Sequence, residues 1–255
     1  MIVHPGNCQH IGARDSQQDA FGFSDKDDLA FVEHGGVLAV VADGMGGLAY
    51  GGEASQSAVC TFLQSYMAKP PEQSVPTALL QALVEANQAL SALSHQLGEV
   101  ELGTTLLAAV IHEEALHWVS VGDSRLYLWR AGKLTQLSED HSYANDLDRD
   151  AAEGIISREA AENHPERRSL TSFLGLNPLE LMDRNPESFP VLAGDRLLLC
   201  SDGLYAALEA SAITPLFAHD AQQTAEDLVS FVLAKGRPAQ DNLTVAILAC
   251  DVGTE

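Results

Sequence analysis

Asp43 closes an apolar run over residues 37–42, and five of the nine residues after it are glycine. A short apolar run bounded by a turn signal predicts a buried strand. Glycines let the backbone turn sharply and bring its carbonyls close to a bound ion. The pattern recurs. Asp202 follows the run 197–201, Asp123 follows 119–122, and Asp241 precedes a strand predicted over 243–249. One aspartate at a turn is ordinary, because its side chain caps the local backbone. Four at the ends of apolar strands point elsewhere, since strand ends in a sandwich gather at one edge and could share a cleft. Carboxylates crowded into a small volume cannot all stay ionised without compensating cations. Oxygen donors alone, without histidine or cysteine, suit Mg2+ or Mn2+ rather than Zn2+ or copper. Two such ions bridged by a carboxylate would activate a water for in-line attack on phosphorus.

Residues 2–23 read as two short strands around a polar loop, 12–19. After the Asp43 strand, a helix opens near Glu53 with Ala54, Ala58, Phe62 and Tyr66 on one face. A second helix over 74–97 carries Val75, Leu79, Leu83, Ala86, Leu90, Leu93 and Leu97 as one stripe, with Ser74 at its N-cap and Pro76 in its first turn. Strands over 104–112, 115–121, 125–130 and 133–137, separated by turns, read as an antiparallel meander. Segment 140–165 is polar and charge-rich, as a surface subdomain or flap would be. Strands return at 196–200 and 243–250, around a helix with Ala221, Ala225, Leu228 and Val232 on one face. Strands cluster and helices cluster, which predicts an α+β fold with antiparallel sheets. No repeat or linker divides the 255 residues, so one domain is expected over 1–255.

The chain carries 36 acidic and 14 basic residues, for a net charge of −22. Such a surface repels nucleic acid and anionic membranes and favours divalent cations or basic partner segments. Cys8, Cys60, Cys200 and Cys250 form no C-x-x-C pair, and three of them lie in apolar runs that predict burial. The N-terminus lacks a basic region followed by an apolar stretch, and no 18 apolar residues run together, so a cytoplasmic location is the expectation.

The ordered set of motifs resembles the metal-dependent PPM (protein phosphatase 2C) Ser/Thr phosphatases in their compact bacterial form. Gly12-x-Arg14 to Asp19 is similar to the family's first motif, and Ala42-Asp43-Gly44-Met45-Gly46-Gly47 to its second. Gly103-Thr104-Thr105, Val121-Gly122-Asp123-Ser124-Arg125, Asp140-His141-Ser142, Cys200-Ser201-Asp202-Gly203-Leu204 and Asp241-Asn242-Leu243-Thr244-Val245 follow in family order. The resemblance implies a four-layer αββα sandwich of two antiparallel sheets flanked by helices, with a flap subdomain over about 142–175. It implies hydrolysis of phosphoserine and phosphothreonine in proteins by a water or hydroxide bridging two Mn2+ or Mg2+ ions, with no covalent phosphoenzyme. Asp43 would bridge both ions, the Gly44 carbonyl would bind one, and Asp202 and Asp241 would complete the other. Asp123 with Asp202 would hold a third, Asp19 would stand near a metal, and Arg14 would clamp the phosphate. Expected partners are phosphorylated proteins made by a Ser/Thr kinase, met by a monomer, with neither nucleic acid nor membrane involved. Two positions depart from the family pattern: Gln17-Gln18 replaces Asn-Glu before Asp19, and Leu48 replaces a histidine after the second motif. These departures keep open a rival of the same fold, a pseudophosphatase that binds phosphoproteins without turning them over. A hydrolase of small phosphoesters is another.

Overall fold

Strand β3 (Val37–Asp43) is apolar at every position but its last because both of its faces are covered. Leu38, Val40 and Ala42 pack against helix residues such as Ala58, Phe62 and Leu83. Val37, Ala39 and Val41 face the other way, toward Leu197, Leu199 and Leu248 of a second sheet. The two-residue alternation of a strand therefore feeds two different cores at once. The computed structural model describes residues 1–45, 50–185, 187–208 and 213–253.

Along the chain come β1 (Ile2–His10), β2 (Asp19–Phe23), α1 (Leu29–Gly35), β3, α2 (Gly51–Met67) and α3 (Val75–Gln96). They are followed by β4 (Leu106–His112), β5 (Ala115–Val121), β6 (Arg125–Arg130), β7 (Lys133–Gln136), α4 (Tyr143–Ala152) and α5 (Arg158–Glu162). The last group is β8 (Asp183–Arg184), β9 (Phe189–Pro190), β10 (Arg196–Cys200), α6 (Asp202–Tyr205), a 3-10 turn (Thr214–Ala218), α7 (Ala221–Leu233) and β11 (Leu243–Asp251). One sheet runs β1-β11-β10-β6-β7 and the other β2-β3-β4-β5-β8, with β9 also on β5; every pairing is antiparallel. Helices α2 and α3 cover the outer face of the second sheet, and α7 covers that of the first. Two antiparallel sheets flanked by helices are the expected sandwich.

Residues 104–137 differ from the predicted meander. β4 and β5 belong to one sheet, β6 and β7 to the other, and Gly122 carries the chain across. Its φ of 101° and the 2.6 Å that would separate an added Cβ from Thr105 Cγ2 both require glycine. Helix α1, capped by the Asp28 side chain on the Phe31 amide at 3.2 Å, was not expected from the sequence. Leu97, placed on the α3 stripe, is instead the exposed C-cap of that helix. Only Cys200 and Cys250 are buried; Cys60 lies on the outer side of α2 and Cys8 is half-buried. In segment 142–175, a bridge between Ser142 and Leu170 closes the segment on itself, and one between Leu174 and Thr104 ties its far end to the body.

Candidate metal centre

The register between β2 and β3 sets Asp19 directly opposite Asp43, at the end of the space between the sheets. Like charges in this cross-strand position repel, so something must offset them. Asp43 is pinned through its backbone: its amide donates to Thr105 Oγ1 at 2.9 Å, and its carbonyl accepts from the Thr105 amide and Thr104 Oγ1, both at 2.9 Å. That explains the Gly103-Thr104-Thr105 motif, which is a brace for the aspartate rather than a ligand. Gly44 has no room for a side chain, because an added Cβ would run into the Gly51 carbonyl.

Asp123 sits in the sheet-to-sheet crossing, Asp202 opens α6 directly after β10, and Asp241 lies just before β11. Together with Asp43, Gly44 and Arg14 they line one cavity of about 230 Å3. Asp19 does not line it. It stands behind Asp43, at the wall of a neighbouring cleft, where its Oδ2 accepts from Ser201 Oγ and Thr244 Oγ1, both at 2.7 Å. The Asp123 Oδ2 accepts from the Tyr205 hydroxyl at 2.9 Å, and the Asp241 Oδ2 from Arg14 Nη2 at 2.6 Å.

Burial, reinforced by the charges of Asp19, Asp202, Asp123 and Asp241, holds the Asp43 carboxyl well above the usual carboxylate range. Burial and then the charges of Asp123, Asp241 and Asp19 push Asp202 up to about 7. Asp19 and Asp123 are also raised by burial, partly offset by their hydroxyl donors. The donor set suits a hard divalent cation: the oxygens are carboxylate and carbonyl, and the buried Asp19 Oδ1 has no hydrogen-bond partner among the described residues. Among the described residues, no three acidic, histidine or cysteine side chains close round a single point.

The sequence profile described as Protein phosphatase 2C matches residues 8–243. The chain belongs to that family. The Serine/threonine phosphatase stp of Listeria monocytogenes serotype 4b (strain F2365) is 32% identical over 219 residues, which cover 84% of this chain and 85% of that protein. The crystal structure of the Mycobacterium tuberculosis serine/threonine phosphatase PstP/Ppp matches with a TM-score of 0.79 and 29% identity, over 99% of this chain and 100% of that one. A structure of the catalytic domain of PstP in complex with two manganese ions matches with a TM-score of 0.76 and 29% identity, over 98% and 99%.

Within this protein phosphatase 2C fold, the Gln17 side chain at the first departure serves the backbone, and Gln18 contributes its main-chain carbonyl. Gln17 Oε1 accepts from the Asp19 amide at 3.0 Å, and the Gln18 carbonyl accepts from the Gly44 amide at 3.0 Å and from Ser55 Oγ at 2.6 Å. The second departure, Leu48, and the motif glycines Gly46 and Gly47 lie outside the described residues. Sequence reasoning missed two contributors. Asn242 clamps the Arg14 loop, donating to the Ile11 and Ser16 carbonyls at 2.8 and 3.1 Å and accepting from the Gln18 amide at 2.8 Å. Arg168, from the 142–175 segment, lines the same cavity as Arg14, and its charge partly offsets the upward push on Asp202. Nothing in the sequence around Arg168 signals this, because it is one of two adjacent arginines in a polar stretch; Asn242 at least sits inside a motif.

Proposed function

We propose that this chain hydrolyses phosphoserine and phosphothreonine monoesters of proteins with the help of Mn2+ or Mg2+. The observation that carries the reading is the convergence of Asp43, Asp123, Asp202, Asp241 and Arg14 on one small cavity. Asp43, the Gly44 carbonyl, Asp202 and Asp241 are the groups that would hold two ions, with Asp43 shared between them. Asp123 with Asp202 would hold a third, and Asp19 would act from behind Asp43. Bound there, such ions would neutralise the carboxylates, polarise the phosphoryl oxygens and ready a water for attack.

The chain's own side chains supply the rest. Arg14 presents a planar fork at the cavity mouth and can exchange Asp241 for two phosphate oxygens. No cysteine lines the cavity among the described residues, and burial pushes the Cys200 thiol upward, away from nucleophilic use. That argues against a phosphocysteine intermediate, and the proposed route is direct attack by water. His141 serves the backbone, with Nδ1 accepting from the Gly122 amide at 3.1 Å. No histidine lines the cavity among the described residues, and water in the cavity can protonate the alcohol leaving group. In the same reading, 1–255 form one domain, 142–175 act as a flap over the cavity, and the monomer meets phosphoproteins made by a Ser/Thr kinase in the cytoplasm. No helix among the described residues is long and apolar enough to cross a membrane.

The test is phosphate release from a phosphothreonine peptide by protein stripped with EDTA and then reloaded with Mn2+. Turnover that appears only after reloading supports the reading. Stoichiometric binding without turnover by the reloaded protein would establish the pseudophosphatase instead. Faster turnover of free phosphothreonine than of the peptide would make small esters the substrate.

A further inference from the structure

β2 is the outermost strand of its sheet and is hydrogen-bonded to β3 on one side only. The Gly44 amide donates to the Gln18 carbonyl, and the Ser24 amide to the Leu38 carbonyl. Alternation along an antiparallel strand then turns the backbone groups of residues 20 and 22 toward β3, and those of Asp19, Phe21 and Phe23 to the open side. At Asp19 that side is taken: its amide donates to Gln17 Oε1 at 3.0 Å, and its carbonyl accepts from Gln9 Nε2 at 3.1 Å. Nothing among the described residues does the same for Phe21. The edge of the other sheet is treated differently. In β1, Pro5 has no N–H to offer, and Gln222 engages both the amide and the carbonyl of Asn7, at 3.1 and 3.0 Å. A strand edge left open is a template for another extended chain unless it is blocked in this way.

Phe21 lines a cleft of about 730 Å3 between β2 and the start of α2. Gln18 lines both this cleft and the cavity of the carboxylates. Phe21 lies three residues farther along, about 10 Å at the rise of a strand. We propose that β2 takes an extended segment of the phosphoprotein substrate as an additional antiparallel strand, which leads the phosphorylated residue into the carboxylate cavity. The inference rests on the phosphatase reading above. β2 runs away from the cavity, so an antiparallel partner runs toward it, and the paired residues lie on the N-terminal side of the phosphorylated one. Main-chain bonds supply the affinity in such pairing and side-chain pockets the selectivity. Glu53 in the cleft wall and the net charge of −22 favour basic side chains in that flank.

The experiment uses the intact, Mn2+-loaded protein and a phosphothreonine peptide with a basic N-terminal flank, methylated at one backbone nitrogen at a time. Methylation at alternate positions N-terminal to the phosphothreonine should lower kcat/KM about three- to tenfold, and methylation at the positions between should not. Removing the N-terminal flank should cost more than removing the C-terminal one. Alkylating the exposed Cys60, which lies in the same cleft, with a bulky maleimide should slow the peptide but not p-nitrophenyl phosphate, and C60S should abolish the effect. If methylated peptides are turned over like the parent, or lose activity without the two-residue period, the pairing is wrong while the phosphatase reading stands. If no phosphopeptide is turned over at all, the phosphatase reading itself fails.

Discussion

Replacing Arg14 with alanine separates a contribution to catalysis from a contribution to the fold. Arg14 Nη2 meets Asp241 Oδ2 at 2.6 Å, with 53% of the arginine side chain and 38% of the aspartate exposed. An ion pair that open to water contributes at most about 1 kcal/mol, so the melting temperature should fall by no more than about 4 °C. The phosphate contact is a larger matter. A hydrogen bond to a charged group contributes about 1.5–3 kcal/mol, which at ~1.4 kcal/mol per factor of ten predicts a roughly ten- to hundredfold fall in kcat/KM. The assay is steady-state hydrolysis of a phosphothreonine peptide at saturating Mn2+, with inorganic phosphate as inhibitor. Arg14→Ala should also be less sensitive to that inhibitor, and Arg14→Lys should fall between, because an ammonium cannot reproduce the fork. An unchanged kcat/KM would refute the clamp. So would a loss that appears at limiting Mn2+ and vanishes at saturation, since Arg14 would then be acting through Asp241.

Asp202 makes a prediction about pH. Its carboxyl is pushed from an ordinary 3.8 to about 7 in the folded chain. The metal-free fold therefore holds a proton that the unfolded chain has released, and it loses that stabilisation as pH rises through the window from about 4 to 7. In EDTA, Asp202→Asn should melt above the parent at pH 8, and the gap should shrink by pH 5.5; a gap that stays constant or widens contradicts the shift. Asp123 has one hydroxyl partner, Tyr205, and would hold a weakly bound ion. Asp123→Ala should retain tight Mn2+ binding and lose most of its turnover, whereas loss of the tight ions would move Asp123 into the primary site. In segment 142–170, α4 buries only Leu147 and α5 only Ala161. Amide exchange there should be faster than in β4 and β5, and equal protection would make the segment a fixed part of the core.

The aspartates were legible because strands covered on both faces are apolar to their ends, so a carboxylate at the boundary stands out. The same two-sided burial hid the topology. β4 and β5 read alike whichever sheet they join, and the crossing shows only in the pairing of β6 with β10 instead of β5. Helix α1 has seven residues and buries only Phe31 and Gly35, too few for a periodic signal. Cys60 follows the buried Val59 and precedes the buried Phe62 by two residues, yet the helical turn points it outward, which an apolar run alone does not show. The distinction between Asp19 and the four cavity aspartates came from registry and burial: its oxygen is held by Ser201 and Thr244 of the opposite sheet, a contact between residues far apart in sequence.

The central claim is that Asp43 organises a two-ion site on which turnover depends. It is tested most directly by titrating Mn2+ into the metal-stripped protein by calorimetry, for the parent and for Asp43→Asn, with phosphopeptide hydrolysis followed on the same samples. The account predicts two tightly bound ions per parent chain, turnover that rises with their occupancy, and an Asp43→Asn variant that folds but neither binds the pair tightly nor turns over at any Mn2+ concentration. A parent that hydrolyses phosphopeptide at full rate without bound metal, or an Asp43→Asn variant that still holds two ions and works, would contradict it.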